Sequence, residues 1–243
     1  LALPTSERQS RLFETHGFKC NCTRCNNKYT FKLPANIEWG LWPLEQKIAS
    51  LDSVTSIPIS KETTLVDVCL DDALLGQRNI ENSDDYNRLI QNSECAQEQA
   101  RNCMIEGDSA GELSYLKKAI EFFRSTRLEI SPFNVKLYSI RCSYLSALLA
   151  EGDILSAVEQ CEHIVSFLVV SLSHVQNHPL LGLQLFTLGD LYLAASDLVS
   201  NASSYRRKGL SVYAWARDVM LVTHGPNHSM VKLLEENIRS ISQ

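Results

Sequence analysis

The sequence predicts a mostly α-helical fold in which a short cysteine-rich segment precedes an array of antiparallel helices. Three observations support this prediction. Apolar residues recur at helical spacing through most of the chain after about residue 84. Similar short segments end successive predicted helices. Near the start, Cys20, Cys22 and Cys25 fall within six residues in the pattern C-x-C-x-x-C.

The helical part of the chain repeats one pattern of apolar side chains. These side chains recur at i, i+3, i+4 and i+7, a spacing that places them on one face of a helix. We expect each face to be buried against neighbouring helices. The predicted buried faces are Leu116, Ala119, Ile120 and Phe123; Val135, Tyr138, Cys142, Leu145 and Leu149; Ile154, Ala157, Val158, Cys161, Val165 and Leu168; Leu181, Leu185, Leu188 and Tyr192; and Val212, Trp215, Ala216, Val219 and Met220.

An internal repeat organises these helices. The segments Ile105–Asp108, Ala150–Asp153 and Ala194–Asp197 each end one predicted helix before the next, at intervals of about 45 residues, longer than a standard tetratricopeptide unit. The motif Leu185-x-x-Leu188-Gly189-x-x-Tyr192 nevertheless fits that repeat with Leu in the Trp position. The pattern therefore predicts three helix pairs stacked as a tetratricopeptide-like antiparallel array, closed by a helix near 230–241.

Capping residues predict where the helices begin. Ser109-x-x-Glu112 has the form of a capping box, which would start a helix at Ser109. Pro132 and Pro179 suit the first turn of two further helices, where the missing proline N–H costs nothing.

The first 83 residues are less regular. A short helix is predicted over 5–15, followed by a linker over 26–37. A second helix is expected over 39–52, and the segment 53–82 is expected to form loops with one short helix around 65–75.

These patterns divide the chain into three parts. Residues 1–30 form a cysteine-rich segment, 31–83 a linker with irregular helices, and 84–243 the helical domain.

The cysteine cluster indicates a structural zinc site. Short spacers force the side chains of Cys20, Cys22 and Cys25 toward one point, and zinc prefers a closed tetrahedral shell of Cys and His. His16 is a local candidate for a fourth ligand. Separate thiols or a disulfide are the alternatives, but the other five cysteines have no metal-like spacing and fit a reducing compartment.

Composition limits the functional classes. A net charge of −5 argues against direct binding of nucleic acid, which requires a basic surface. The longest apolar runs are far shorter than a membrane span of about 20 residues. No signal peptide is visible, so we expect an intracellular protein of the cytoplasm or nucleus with no membrane partner.

Two regions carry a family resemblance. Near the start these are Leu3–Leu12 and Gly17–Cys25; near the end they are His178–Gly182, Leu188–Leu191 and Val222–His228. Together they resemble the post-SET segment and the C-terminal helical region of the SMYD family, the SET and MYND domain proteins. That family methylates protein lysines with S-adenosylmethionine. The middle of the chain matches only loosely.

The resemblance implies roles for individual residues. Phe18 matches an aromatic that packs beside the adenine of S-adenosylmethionine, and His16 falls where some members carry a tyrosine that walls the lysine channel. Cys20, Cys22 and Cys25 would bind zinc with a fourth cysteine from the SET core. Because the chain carries no SET core, we expect it to be a C-terminal fragment without catalytic residues. The protein partner would be a substrate with a target lysine, including a histone tail.

A second interpretation of the sequence is a binding function without catalysis. Concave helical arrays bind peptides, so the chain could belong to a non-catalytic adaptor. Three histidines are expected to be structural under either reading: His178 precedes a proline at a helix start, and His224 and His228 flank a helix end.

Overall fold

The computed structural model describes residues 5–22, 25, 30–34, 44, 48, 65–69, 83–125, 130–172, 175 and 177–241. Helices dominate these residues, which confirms the mostly α fold with a short cysteine-rich segment. The elements in chain order are α1 (Thr5–His16), β1 (Thr30–Pro34), β2 (Leu65–Cys69), α2 (Ser83–Glu106), α3 (Ser109–Ser125), α4 (Val135–Glu151), α5 (Ile154–Ser171), α6 (Pro179–Ser196), α7 (Ala202–His224) and α8 (Ser229–Ile241).

The elements fall into two compact units. The first contains α1 to α4 and both strands; the second contains α5 to α8 and, from earlier in the chain, Leu44 and Ile48. In the first unit α2 packs on α3 and α3 on α4; in the second, each helix packs on the next. This consecutive antiparallel packing is the arrangement of a tetratricopeptide-like array. The predicted divisions after residues 30 and 83 stay predictions.

The core of the first unit lies between α2, α3 and α4. All four residues predicted for the buried face of α3 are buried. The predicted face of α4 is largely wrong, because only Leu145 of its five residues is buried and Leu149 is 42% exposed. The fully buried residues of α4 instead lie on a neighbouring part of the helix surface, and Val135, Tyr138 and Cys142 of the predicted face are half-buried. The buried residues of α4 are Leu137, Ile140, Arg141, Leu145, Ala147 and Leu148.

In the second unit, helix α5 is buried on nearly all of its sides. Its predicted face is buried apart from Ile154, which is half-buried. Among the described residues, α5 alone is long and apolar enough to cross a membrane, with a mean hydropathy of 1.4, but 67% of it is buried within the protein. This burial is typical of a core helix. The predicted faces of α6 and α7 are buried as well.

Two helix starts follow one local design. Gly107 and Gly152 adopt φ angles of 77° and 75°, a left-handed conformation that glycine tolerates and that ends the preceding helix. An aspartate follows each glycine: Asp108 accepts a hydrogen bond from the N–H of Gly111 at 2.9 Å, and Asp153 accepts one from Ser156 at 3.1 Å. The cap of α3 is therefore Asp108, and the predicted capping box at Ser109 is wrong.

Other helix starts differ from the predictions. Pro132 lies in a turn ahead of α4, so its predicted place in the first helical turn is wrong. Asn134 caps α4, because its side-chain oxygen accepts from the N–H of Lys136 at 2.9 Å. Pro179 does lie in the first turn of α6. In the third repeat segment Asp197 is the C-cap of α6 and does not start α7.

The irregular region contains a two-stranded antiparallel sheet. Strand β1 pairs with β2 from Thr30 opposite Cys69 to Pro34 opposite Leu65. The linker predicted over 26–37 and the helix predicted around 65–75 are therefore wrong where these strands lie. Most of the helix predicted over 39–52 lies outside the described residues.

Candidate metal centre

Three thiols converge at the end of the cysteine-rich segment. The sulfurs of Cys20, Cys22 and Cys25, which we call the thiol cluster, all lie within 4.8 Å of one another. The sulfurs of Cys22 and Cys25 are 3.6 Å apart. Ligands of a tetrahedral zinc ion with Zn–S bonds of about 2.3 Å would be about 3.8 Å apart. The cluster therefore matches the geometry of a metal site, as the spacing predicted.

Two turns bring the thiols together. Gly17 ends α1 with a φ of 70° and donates its N–H to the carbonyl of Phe13 at 2.9 Å. This left-handed turn returns the chain toward α1. A second turn follows, in which the N–H of Cys25 donates to the carbonyl of Cys22 at 2.9 Å. This contact holds Cys22 and Cys25 together, with their sulfurs 3.6 Å apart.

Helix α1 holds the thiol cluster through two adjacent side chains. The carboxamide of Gln9 accepts from the N–H of Cys20 at 2.8 Å and donates to the carbonyl of the same residue at 2.6 Å. Arg8 donates from Nη2 to the sulfur of Cys25 and to Oγ1 of Thr5, both at 3.1 Å. These contacts join the first turns of α1 to the backbone of Cys20 and to the sulfur of Cys25.

Electrostatics at the cluster reflect partial burial. Burial raises the pKa of the Cys25 thiol more than the hydrogen bond from Arg8 lowers it. Hydrogen bonds with the neighbouring thiols of Cys22 and Cys20 raise this pKa further, because they favour the protonated thiol. A bound divalent cation would displace the thiol protons.

The ligand set is compatible with zinc. Three soft sulfur donors favour zinc over hard cations such as magnesium or calcium. Cys22 is exposed, whereas Cys20 and Cys25 are half-buried. Within the described part of the chain the cluster holds three ligands, and His16 is not among them. The local fourth ligand that we considered is thus not found, and a closed tetrahedral site needs a donor from elsewhere.

Aromatic side chains lie exposed beside the thiol cluster. Phe18 is 49% exposed and Phe13, which sequence reasoning missed, is 58% exposed. The ring of His16 lies 6.3 Å from that of Phe18 between centroids. The exposed side chains of Phe13, His16 and Phe18, which we call the aromatic edge, leave considerable apolar area facing solvent.

The histidines of the helical domain have structural contacts. Nδ1 of His178 accepts from the N–H of Leu180 at 3.1 Å and caps α6. His224 ends α7, where its Nδ1 lies 2.7 Å from the hydroxyl of Thr223, and the centroid of its ring lies 4.6 Å from that of His228, with the rings tilted by 51°. The structural roles expected for these residues agree with this geometry.

The remaining described cysteines form no second cluster. None of the seven cysteines whose side chains the structure describes forms a disulfide bond. Cys161 is buried and Cys103 and Cys142 are half-buried, as small hydrophobic residues would be. Cys95 is exposed on α2, contrary to that expectation.

Sequence reasoning also missed Arg8 and Gln9. The spacing of the thiols carries no information about residues that precede them by more than ten positions. A usable signal was the position of a polar helix directly before a metal-binding loop, because ligating residues commonly have hydrogen-bonded neighbours.

The functional argument depends on the geometry of the metal centre, because comparison with known proteins adds no function to it. No protein-family model matches the chain, and no curated protein matches it.

Proposed function

We propose that this chain is the C-terminal part of a protein-lysine methyltransferase that uses S-adenosylmethionine, similar to the SMYD family. The observation that carries the proposal is the convergence of three thiols in a segment that begins two residues after Phe18, whose ring is exposed. A zinc ion bound there would fix the loop and hold that ring in place. The fold supports the same reading, since an antiparallel helical array follows the thiol cluster.

The metal has a structural role in this proposal. Cys20, Cys22 and Cys25 would hold it, and a fourth sulfur from a catalytic core would close the tetrahedron. A closed shell has no open position for water or substrate, so the ion would act as a clamp. Structural zinc in small modules supplies about 10 kcal/mol or more of folding free energy. Loss of one thiol should therefore loosen the whole loop.

Phe18 would contribute to cofactor binding. An aromatic ring that is 49% exposed on a short metal-bound loop has apolar area available for a ligand. Stacking on an adenine ring contributes about 1 kcal/mol beyond simple burial. His16, whose ring faces the same region, would lie near the channel for the target lysine.

Methyl transfer itself depends mainly on positioning. The reaction needs a neutral lysine amine held in line with the methyl carbon of the cofactor in a site that excludes water. The aromatic edge would help to close such a site. The helical array would restrict which peptides reach it, and the net charge of −5 suits a lysine-rich peptide.

The experiment uses the complete polypeptide that contains this chain. Its zinc content, its affinity for S-adenosylmethionine and its transfer of a radioactive methyl group to lysine peptides are measured. Phe18→Ala should retain zinc but bind the cofactor at least several-fold more weakly, because it removes the ring alone. Cys22→Ser should lose both zinc and methyl transfer.

The exposed Cys95 offers a matched control on α2. Cys95→Ser should leave all three measurements unchanged. Unaltered cofactor affinity in Phe18→Ala would refute the role of Phe18, and absence of cofactor binding by the unmodified protein would refute the methyltransferase.

A peptide-binding adaptor is the second candidate. Its supporting observation is the exposure of Leu180 and Leu183 on one side of α6, at 38% and 46%. A protein that binds zinc but not S-adenosylmethionine, and that loses a peptide partner on Leu183→Asp, would favour this function.

A further inference from the structure

Adjacent residues of α1 contact different parts of the thiol cluster. Side chains of neighbouring helical residues diverge by about 100° around the axis. Arg8 therefore reaches the sulfur of Cys25 while Gln9 reaches the backbone of Cys20. The helix thus contacts the first and last cysteines of the cluster at the same time, one through its backbone and the other through its sulfur.

We infer that Arg8 and Gln9 are positioning residues of this metal centre: Gln9 fixes the backbone of Cys20, and Arg8 orients the sulfur of Cys25 and offsets the charge of the metal–thiolate group. The inference rests on the metal site of the proposed function. It concerns residues that contact ligands and not the ion itself.

Gln9 acts through geometry. Its carboxamide satisfies both the N–H and the carbonyl of Cys20, so the peptide groups around that residue have one favoured orientation. Such a paired contact lowers the entropy that the loop loses when its sulfur binds a metal. The effect does not depend on the charge of the metal group, so added salt should not change it.

Arg8 acts through charge as well as geometry. Three thiolates around a divalent cation carry a net charge of −1, and a fourth thiolate makes it −2. The guanidinium of Arg8 remains positive and donates an N–H to the sulfur of Cys25 at 3.1 Å. It therefore favours the anionic, metal-bound state, and salt should weaken this contribution because Arg8 is only partly buried.

The test measures zinc affinity of the complete protein by competition with a chromogenic chelator. Arg8→Met and Gln9→Met should each weaken zinc binding about 10- to 100-fold, the range for lost contacts to metal ligands. Arg8→Lys should restore part of the loss, because it keeps the positive charge. Arg11→Met is the matched control, since Arg11 is exposed on the same helix, and should change affinity less than about twofold.

Salt dependence separates the two roles. The loss caused by Arg8→Met should shrink between about 0.05 M and about 0.5 M salt, whereas the loss caused by Gln9→Met should stay constant. Cobalt substitution gives an independent measurement, because sulfur-to-metal absorption bands report the geometry of the site. Amide exchange in α5 to α8 verifies that each variant is folded.

The outcomes distinguish this inference from the proposed function. Zinc affinities of Arg8→Met and Gln9→Met equal to that of Arg11→Met would overturn the inference, as would a protein that binds no zinc. Zinc binding that depends on Arg8 and Gln9 would support it even if the protein bound no S-adenosylmethionine. That last result would refute only the methyltransferase.

Discussion

A carboxyl group and a phenol from neighbouring helices share one hydrogen bond in the second unit. Tyr213 of α7 donates its hydroxyl to Asp190 of α6. Partial burial raises the pKa of the Asp190 carboxyl more than the bond from Tyr213 lowers it. Burial also raises the pKa of the Tyr213 hydroxyl, so this group stays a donor at neutral pH. The pair therefore makes stability depend on pH in a definite direction.

Asp190→Asn should become more stable relative to the natural chain as pH rises. A raised pKa in the folded state means that the protonated carboxyl favours folding; this contribution is complete below the unfolded pKa of about 3.9 and is lost as pH rises through the folded value. Asparagine stays neutral and can still accept from Tyr213. Urea denaturation between about pH 3 and pH 7 measures the difference. A difference that falls with rising pH would contradict the sign.

At the scale of single residues, the sequence predicted the side-chain positions that depend only on local spacing along the chain. Cys20 and Cys25 converge because few residues separate them, and Tyr192 is buried because it lies on an apolar stripe. The partner of the Tyr192 hydroxyl, Glu162 at 2.5 Å, lies on another helix and could not be predicted. The same is true of Gln9, whose contact with Cys20 depends on the turn at Gly17.

Helix starts give a prediction at the scale of elements. Asp108→Ala and Asp153→Ala should each lower the free energy of unfolding by about 1 kcal/mol, because each removes the acceptor for an N–H at the helix start. Ser109→Ala should cost much less, since Ser109 is inside α3 and does not cap it. Chemical denaturation measures all three variants. A larger loss for Ser109→Ala than for Asp108→Ala would restore the capping box that the sequence predicted.

Helices α6 and α7 pack closely at Gly189 because glycine has no side chain. A methyl group at Gly189 would overlap ring atoms of Tyr213. Gly189→Ala should therefore destabilise the protein by about 1–3 kcal/mol despite the better helix propensity of alanine. Gly209→Ala is the matched control, because its methyl group would meet the flexible side chain of Leu193 at 3.2 Å. Equal thermal stability of the two variants would show that the Tyr213 ring can move aside.

Prediction of elements succeeded where periodicity extended over several turns. The stripes of α3 and α6 extend over about two and about three turns and identify the buried side. Strands β1 and β2 have only five residues each, too few to distinguish a strand from a helical turn, and they pair across a long separation in sequence. The stripe of α4 failed because apolar residues occur around most of that helix and the fully buried ones lie on a neighbouring part of its surface.

At the scale of the whole molecule, composition and repeat length predicted the class of fold but not where the chain divides into two compact units. The repeat segments at Asp108 and Asp153 look equivalent in sequence, and both start helices. The boundary between the compact units nevertheless falls at Gly152 and not at Gly107. Which helices pack most extensively depends on side chains that come together across the fold, and local sequence does not encode this.

Metal removal should affect the molecule locally. The thiol cluster has its described contacts with α1, through Arg8 and Gln9. Helices α5 to α8 have a separate core that includes Leu185 and Val212. Chelation of zinc should therefore lower amide-exchange protection in α1 and leave the protection of α5 to α8 unchanged, because local openings cost less than global unfolding. Mass spectrometry of exchange before and after chelation measures both regions, and Cys95→Ser should respond to chelation as the natural chain does. Equal loss of protection in both regions would mean that the metal stabilises the molecule as a single cooperative unit.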